Sequence, residues 1–403
     1  MVKAWDTTLI GDFLEFKNGL NKGKEFFGHG TPIVNYTDVY QKRGLKASDI
    51  RGRVFLTADE IHRFEVRKYD VFFTRTSETP NEVGITSVLL EDINDCVFSG
   101  FVLRGRPKND MFVPEYCKYC FSTAAVRNAI ITGCTYTTRA LTNGKQLSAI
   151  EISLPPKSEQ EAIATALSDI DALITNLEKL IAKKKAIKQG AMQELLTGKR
   201  RLPGFGGAWE IVRLGDHCAV LRGGSPRPIQ AYLTSSPQGA NWIKIGDVRE
   251  GDKYITATAE RIIEAGISRS REVFVGDFIL SNSMSFGRPY ILKIDGCIHD
   301  GWLVIQNYQD SFDQQYLYYV LGSDMVKSQY ISMAAGSSVQ NLNKEKVGNV
   351  MLHKPDIEEQ HSIAAILSDM DEEISKYEHQ LRKYKGVKQG MMSELLTGRI
   401  RLV

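Results

Sequence analysis

Residues 188–198 read KQGAMQELLTG, and residues 388–398 read KQGMMSELLTG. The two stretches differ only at 191 and 193 against 391 and 393. Working outward, the match runs without a gap over 160–202 and 360–402. About half of those positions are identical, against roughly one in 20 expected by chance. Fainter echoes extend through the rest of the chain. Trp5, Gly11 and Asp12 answer Trp209, Gly215 and Asp216; Ser99-Gly100-Phe101 answers Asp300-Gly301-Trp302; and Pro155 answers Pro355. The chain therefore reads as two copies of one unit, each a variable globular part followed by a similar helical part. Such a duplication predicts pseudo-two-fold symmetry, the single-chain equivalent of an isologous dimer.

The similar parts read as long helices. Ile163, Leu167, Ile170, Ile174, Leu177 and Ile181 alternate spacings of four and three, and so do Ile363, Leu367, Met370, Ile374, Tyr377, Leu381 and Tyr384. Held over about three heptads, that spacing is a coiled-coil seam. Two matching seams in one chain readily satisfy each other; the plainer alternative is that each stripe packs on its own globule. Pro155, Pro156 and Pro355 mark where neither helix has begun, and Ser158 with Glu161 and Asp356 with Glu359 have capping-box spacing. Each helix is expected to run about 35 to 40 residues, so roughly 55 Å.

The variable parts look like α/β globules rich in short strands. Residues 71–73, 85–90 and 97–103 in the first copy, and 240–248, 273–280 and 290–294 in the second, are β-branched or aromatic runs bounded by turn residues. Residues 202–207, rich in Pro and Gly, form the linker between copies. With 403 residues, 42% of them hydrophobic and 25% charged, the chain can bury several cores, and its net charge of +3 permits nucleic-acid binding without arguing for it. Nothing at the N-terminus reads as a signal peptide, and no stretch approaches the roughly 20 apolar residues of a membrane helix. The six cysteines are then expected to be reduced thiols of a cytoplasmic protein.

Two unlike globules, each followed by a helix that opens near Pro155, Pro156, Glu159, Gln160, Ile163, Ala164, Leu167 and Asp171, or Pro355, Glu359, Gln360, Ile363, Ala364, Leu367 and Asp371, resemble the specificity subunits of type I restriction–modification systems. The resemblance spans nearly the whole chain. Residues 353–356 read HKPD where the pattern prefers Leu-Pro-Pro, a minor departure. The resemblance implies an α+β fold: two α/β target recognition domains separated by two long helices that form an antiparallel coiled coil, with pseudo-two-fold symmetry. The division expected is a first recognition domain over 1–155, a spacer helix over 156–200, a linker over 201–208, a second recognition domain over 209–355 and a second spacer helix over 356–403. It further implies a non-catalytic subunit that reads one half of a bipartite double-stranded DNA site per domain. Such a subunit docks two methyltransferase subunits, with restriction subunits joining the complex. S-adenosylmethionine, ATP and Mg would belong to those partners, and no cofactor or metal to this chain.

Base edges and phosphates are met by loops combining Arg, Lys, Asn, Gln, Ser and aromatic residues. In the first copy the candidates are Lys17, Asn18, Lys22, Lys24, Tyr36, Arg75, Ser77, Thr135, Tyr136 and Arg139. In the second they are Arg222, Ser225, Arg227, Arg249, Asn282, Ser283, Ser285, Phe286, Arg288, Ser338, Gln340 and Asn341. The lysines at 183, 185, 188, 383, 385 and 388 are expected on the outer helix faces, toward partners or phosphates, with an ordinary solvated face as the alternative. Catalytic signatures are missing: there is no methyltransferase Asn-Pro-Pro-Tyr, no GxGxxG and no phosphate loop. Cys117 and Cys120 have zinc-like spacing without a second pair, and read instead as buried thiols on a helix with Tyr116 and Phe121. His299 beside Asp300 lacks an accompanying nucleophile motif. Two further readings stay open: a specificity chain of another restriction–modification type, and a coiled-coil scaffold with no DNA role.

Overall fold

The computed structural model describes residues 5–249, 251–282, 287–334 and 342–402. The chain forms two compact units, Met1–Glu178 with His379–Val403, and Lys179–Glu378. Two helices of 39 residues, α1 (Lys157–Leu195) and α2 (Ile357–Leu395), pass from one unit into the other. Each unit thus owns the start of one helix and the end of the other.

In the first unit a five-stranded sheet is built from β1 (Leu14–Asn18), β2 (Gly44–Leu45), β3 (Val71–Thr74), β4 (Thr86–Leu89) and β5 (Val102–Pro107), in the order β1-β5-β3-β4-β2. All neighbours are antiparallel except the last pair. In the second unit β6 (Ala219–Arg222), β7 (Tyr254–Ile255), β8 (Phe278–Ser281), β9 (Pro289–Leu292) and β10 (Trp302–Gln306) lie in the order β6-β10-β8-β9-β7, again with only the last pair parallel. The duplication read from the helices is therefore carried by the globules too, although their sequences have diverged. β3 and β8 are buried at every position, as expected for central strands covered on both faces.

A short antiparallel pair closes each globule where its helix begins: Asp6–Leu9 with Glu151–Leu154, and Glu210–Arg213 with Met351–Lys354. Beneath the first, Phe13, Phe73, Tyr116, Cys117, Cys120 and Phe121 share a core with Ile163 and Leu167 of α1 and Leu395 and Leu396 of α2. Beneath the second, Phe278, Leu303, Tyr316 and Leu317 pack with Ile363 and Leu367 of α2 and Leu195 and Leu196 of α1. Full burial of each such side chain contributes about 2 kcal/mol. The early seam residues therefore pack against their own globule and against the other helix's end. Further along, Ile170, Ile174, Ile181 and Ile374 are buried, while Leu177, Met370, Tyr377, Leu381 and Tyr384 are half-buried.

Three expected strands are broken. The run 97–103 bends at Ser99-Gly100, 240–248 leaves its strand after Ile243 for a 3-10 turn over Ile245–Asp247, and 273–280 breaks between Val273 and Phe278. In the last two breaks an aspartate caps the turn: Asp247 accepts from the Lys244 N–H at 2.7 Å, and Asp277 from that of Phe274 at 2.9 Å. Apolar periodicity does not register such side-chain competition for the backbone. Helix α1 starts at Lys157, so Ser158 lies within the first turn rather than at the cap.

Candidate nucleic-acid interface

The helix ends hold each unit together. In the first unit Lys388 pairs with Asp171, and Lys385 with Glu178 at 2.7 Å. In the second, Lys188 pairs with Asp371, Lys185 with Glu378 at 2.6 Å and Lys184 with Glu373 at 2.7 Å. From Lys388–Asp171 to Lys385–Glu178, and from Lys188–Asp371 to Lys185–Glu378, one residue number falls as the other rises, so the helices run antiparallel within each unit. These pairs correct the expectation of wholly outward lysines: 185, 188, 385 and 388 bridge the two helices, while Lys183 and Lys383 are exposed. Asp171 and Asp371 also accept from Tyr119 and Tyr319 at 2.8 and 2.7 Å, fastening the helix pair to its globule.

Glu159 and Glu359, in the first turn of each helix, are buried acceptors for arginine. Glu159 is fully buried and accepts from both Nε and Nη2 of Arg401 at 2.6 Å and from Trp5 Nε1 at 3.1 Å. Glu359 is equally enclosed, by Arg201 through two 2.8 Å bonds and by Trp209 Nε1 at 2.8 Å. Burial pushes the Glu159 carboxyl up, but the hydrogen bonds from Arg401 and Trp5 outweigh it and hold it below its ordinary value. Gln160 and Gln360 stitch the helix start to the globule: each accepts one backbone N–H, of Val113 or Asp313, and donates to two carbonyls. These clamps were not read from the sequence. Their signal was present, since Glu159 with Arg401 and Glu359 with Arg201 occupy matching repeat positions.

On the first globule, the expected DNA residues divide by what their side chains touch. Lys17 donates to the Arg63 carbonyl, Lys22 pairs with Glu60 at 2.6 Å and lies over the Phe26 ring, Ser77 is buried against Glu82, and Tyr36 stacks on Tyr40. These are engaged within the fold. Asn18, Lys24, Thr135, Tyr136 and Arg139 are exposed. The backbone then gathers three of the loops. The Arg75 N–H donates to the Phe101 carbonyl at 3.0 Å, and the Arg75 carbonyl accepts from Thr142 at 3.0 Å. The strand Ala140–Leu141 pairs with Thr76–Ser77 on one side and Thr135–Tyr136 on the other. Arg75 Nη1 donates to the Gly100 carbonyl at 3.3 Å, and its buried Nε has no partner among the described residues.

On the second globule, four candidates converge on one acid. Ser225 Oγ donates to Asp300 Oδ1 at 2.9 Å and Arg227 pairs with Oδ2 at 3.2 Å, while Asn282 Nδ2 and Arg222 Nε reach the Asp300 carbonyl at 3.0 and 3.5 Å. Burial pushes the Asp300 carboxyl up, yet the hydrogen bonds from Ser225 and Arg227 hold it below the ordinary range. Burial lowers the His299 pKa, and its Nδ1 accepts from the Gly301 N–H at 2.8 Å, so this ring braces the turn. Arg249 and Arg288 line a cleft of about 630 Å³ with Lys188, Lys327, Tyr318 and Tyr319. Ser283, Ser285, Phe286, Ser338, Gln340 and Asn341 lie outside the described residues.

Equivalent contacts also correct the alignment of the copies by one residue. Gly19 abuts the Ser99 carbonyl as Gly223 abuts that of His299, and β5 and β10 begin opposite Thr74 and Ser281 at Val102 and Trp302. Gly100 thus answers Asp300, and Phe101 answers Gly301.

The family model for the type I restriction modification DNA specificity domain matches residues 3–189 and again 207–383. The chain belongs to this family. It is a DNA-specificity subunit, the reading part of a type I restriction–modification enzyme rather than a catalytic chain. The putative type I restriction enzyme MjaX specificity subunit of Methanocaldococcus jannaschii is 23% identical over 421 aligned residues, covering 99% of this chain and 94% of the relative. The MjaVIII specificity subunit of the same organism is 26% identical over 271 residues, 63% of each chain. The crystal structure of the type I S subunit from M. genitalium matches with a TM-score of 0.59, covering 97% of this chain and 96% of that one at 15% identity, a likeness of fold. Among the described residues of the specificity subunit, no group of three His, Cys, Asp or Glu side chains has metal-holding geometry, and no helix is long and apolar enough to cross a membrane.

Proposed function

We propose that this specificity subunit reads a split DNA site, one half with the domain over residues 1–155 and the other with the domain over 209–355. The observation that carries the reading is the same five-stranded order in both globules, with different side chains displayed around the same turn. One scaffold presented twice lets the same kind of methyltransferase subunit approach each half-site in the same relation, while unlike loops demand unlike bases. Residues 156–200 and 356–403 are the spacer, whose paired helices set the unspecified gap. Asn18, Arg75, Tyr136 and Arg139 are the favoured contacts in the first domain, with Arg222, Arg227, Asn282, Arg249 and Arg288 in the second. Two methyltransferase subunits dock on the repeated helical parts, restriction subunits join them in the cytoplasm, and S-adenosylmethionine, ATP and Mg are bound by those partners.

Footprinting of the subunit reconstituted with its methyltransferase tests this. Two protected stretches separated by an accessible gap are expected, with affinity falling steeply as salt rises through displacement of phosphate contacts. A single continuous footprint contradicts the reading.

A further inference from the structure

The turns 99–102 and 299–302 share one backbone and carry opposite chemistry. In each, the fourth residue's N–H donates to the first residue's carbonyl at 3.1 Å, from Val102 to Ser99 and from Trp302 to His299. In each, the third residue's carbonyl accepts from the neighbouring loop, Phe101 from Arg75 at 3.0 Å and Gly301 from Asn282 at 3.1 Å. In each, a glycine packs so closely that an added Cβ would lie 2.2 Å (Gly19) or 2.0 Å (Gly223) from the first residue's carbonyl oxygen. The frame is therefore fixed on both sides. What it displays is not: Gly100-Phe101 in one copy and Asp300-Gly301 in the other.

Phe101 is 60% exposed, though burying a phenylalanine would gain about 2 kcal/mol. It lies beside Arg75, in a setting of polar groups that includes Asn21 against Gly100. An apolar ring on a rigid tip amid hydrogen-bonding groups suits contact with a thymine methyl in the major groove. Asp300 instead holds Arg227, whose side chain is 80% exposed, and a guanidinium so held suits the paired acceptors of a guanine edge.

We propose that these two turns are the reading tips of the two domains. Phe101 selects an A·T pair in one half-site by apolar contact with the thymine methyl. Asp300 is a positioning residue that aims Arg227 at a guanine in the other half-site. The inference rests on the split-site reading above.

The test is a methylation map of cells expressing the full chain with its methyltransferase, as wild type, Phe101→Ala, Phe101→Leu, Arg227→Ala and Asp300→Ala. Phe101→Ala is expected to lower discrimination roughly tenfold at one A·T position of one half-site, with Phe101→Leu restoring part of it. Arg227→Ala and Asp300→Ala are expected to relax one and the same G·C position of the other half-site. Motifs unchanged in all variants, changes falling in a single half-site, or uniform loss over both half-sites overturn the inference. A wild-type map without a split motif sinks the split-site reading itself, whereas a split motif indifferent to these variants sinks only the assignment of the tips.

Discussion

Arg401 grips Glu159, 242 residues earlier in the chain, through two 2.6 Å hydrogen bonds. Arg201 grips Glu359 in the same way, through two of 2.8 Å. Each glutamate stands in the first turn of one helix and each arginine just past the end of the other, so the pairs fasten the start of each helix to the end of its neighbour. Trp5 and Trp209 complete the clamps by donating to the same carboxylates while lying under the guanidinium groups, at 5.5 and 5.2 Å from ring centre.

Removing one arm of a buried pair leaves an uncompensated charge, which costs more than the pair itself contributes. Arg401→Ala is therefore expected to destabilise the protein, because it leaves the buried Glu159 carboxylate without its charge partner. Glu159→Gln combined with Arg401→Ala should cost less than the sum of the single changes. Denaturant unfolding of the four proteins gives the coupling, and strict additivity would show that the clamp does not act as a unit.

The same clamp predicts an acid limb in stability. Because the folded Glu159 carboxyl titrates below its unfolded value, its contribution is fully present above the unfolded pKa, about 4.5, and is lost as pH falls through the lower folded value. The difference in melting temperature between the wild type and Glu159→Gln should be constant from pH 7 to about 5 and should shrink below about 4.5. A difference that persists unchanged at pH 3 contradicts the assignment.

Gly198 and Gly398 adopt φ of +68° and +69° just after the helices, and a Cβ there would lie 3.1 Å from the Trp209 or Trp5 ring. Alanine at either position is expected to cost about 1–2 kcal/mol from the left-handed backbone alone. Gly190 and Gly390 lie inside the helices with nothing near the missing Cβ, so alanine there should stabilise by about 0.5–1 kcal/mol. Melting curves of the four variants separate the two classes by sign.

This contrast shows what the sequence made legible. Repetition of the block ending Glu-Leu-Leu-Thr-Gly exposed the duplication and both helices, because heptad spacing is a local signal. Glu359 has capping-box spacing from Asp356, but spacing does not reveal that Glu359 and Glu159 bind Arg201 and Arg401, 158 and 242 positions away in the chain. The turn at Phe101 was misaligned by one residue because the globules share a hydrogen-bonded frame rather than side chains. The carbonyls abutting Gly19 and Gly223, with the strand register at Val102 and Trp302, fix the true equivalence. Lys22 and Ser77 fitted the chemistry of a DNA contact, yet Glu60 and Glu82 engage them, which composition does not disclose.

If the paired helices set the spacing, residues inserted or deleted near Leu195 to Gly198 should change the number of unspecified base pairs between half-sites while leaving both half-sites intact. Sequencing methylated sites in cells carrying such variants reads the gap directly. An unchanged gap in a folded, active variant argues against the helices as a ruler.

The most direct test of the central claim is a genome-wide map of methylation by the unaltered chain with its methyltransferase. The account predicts one motif of two defined, unlike half-sites separated by a constant run of unspecified bases. A continuous motif, or half-sites whose separation varies from site to site, would contradict it.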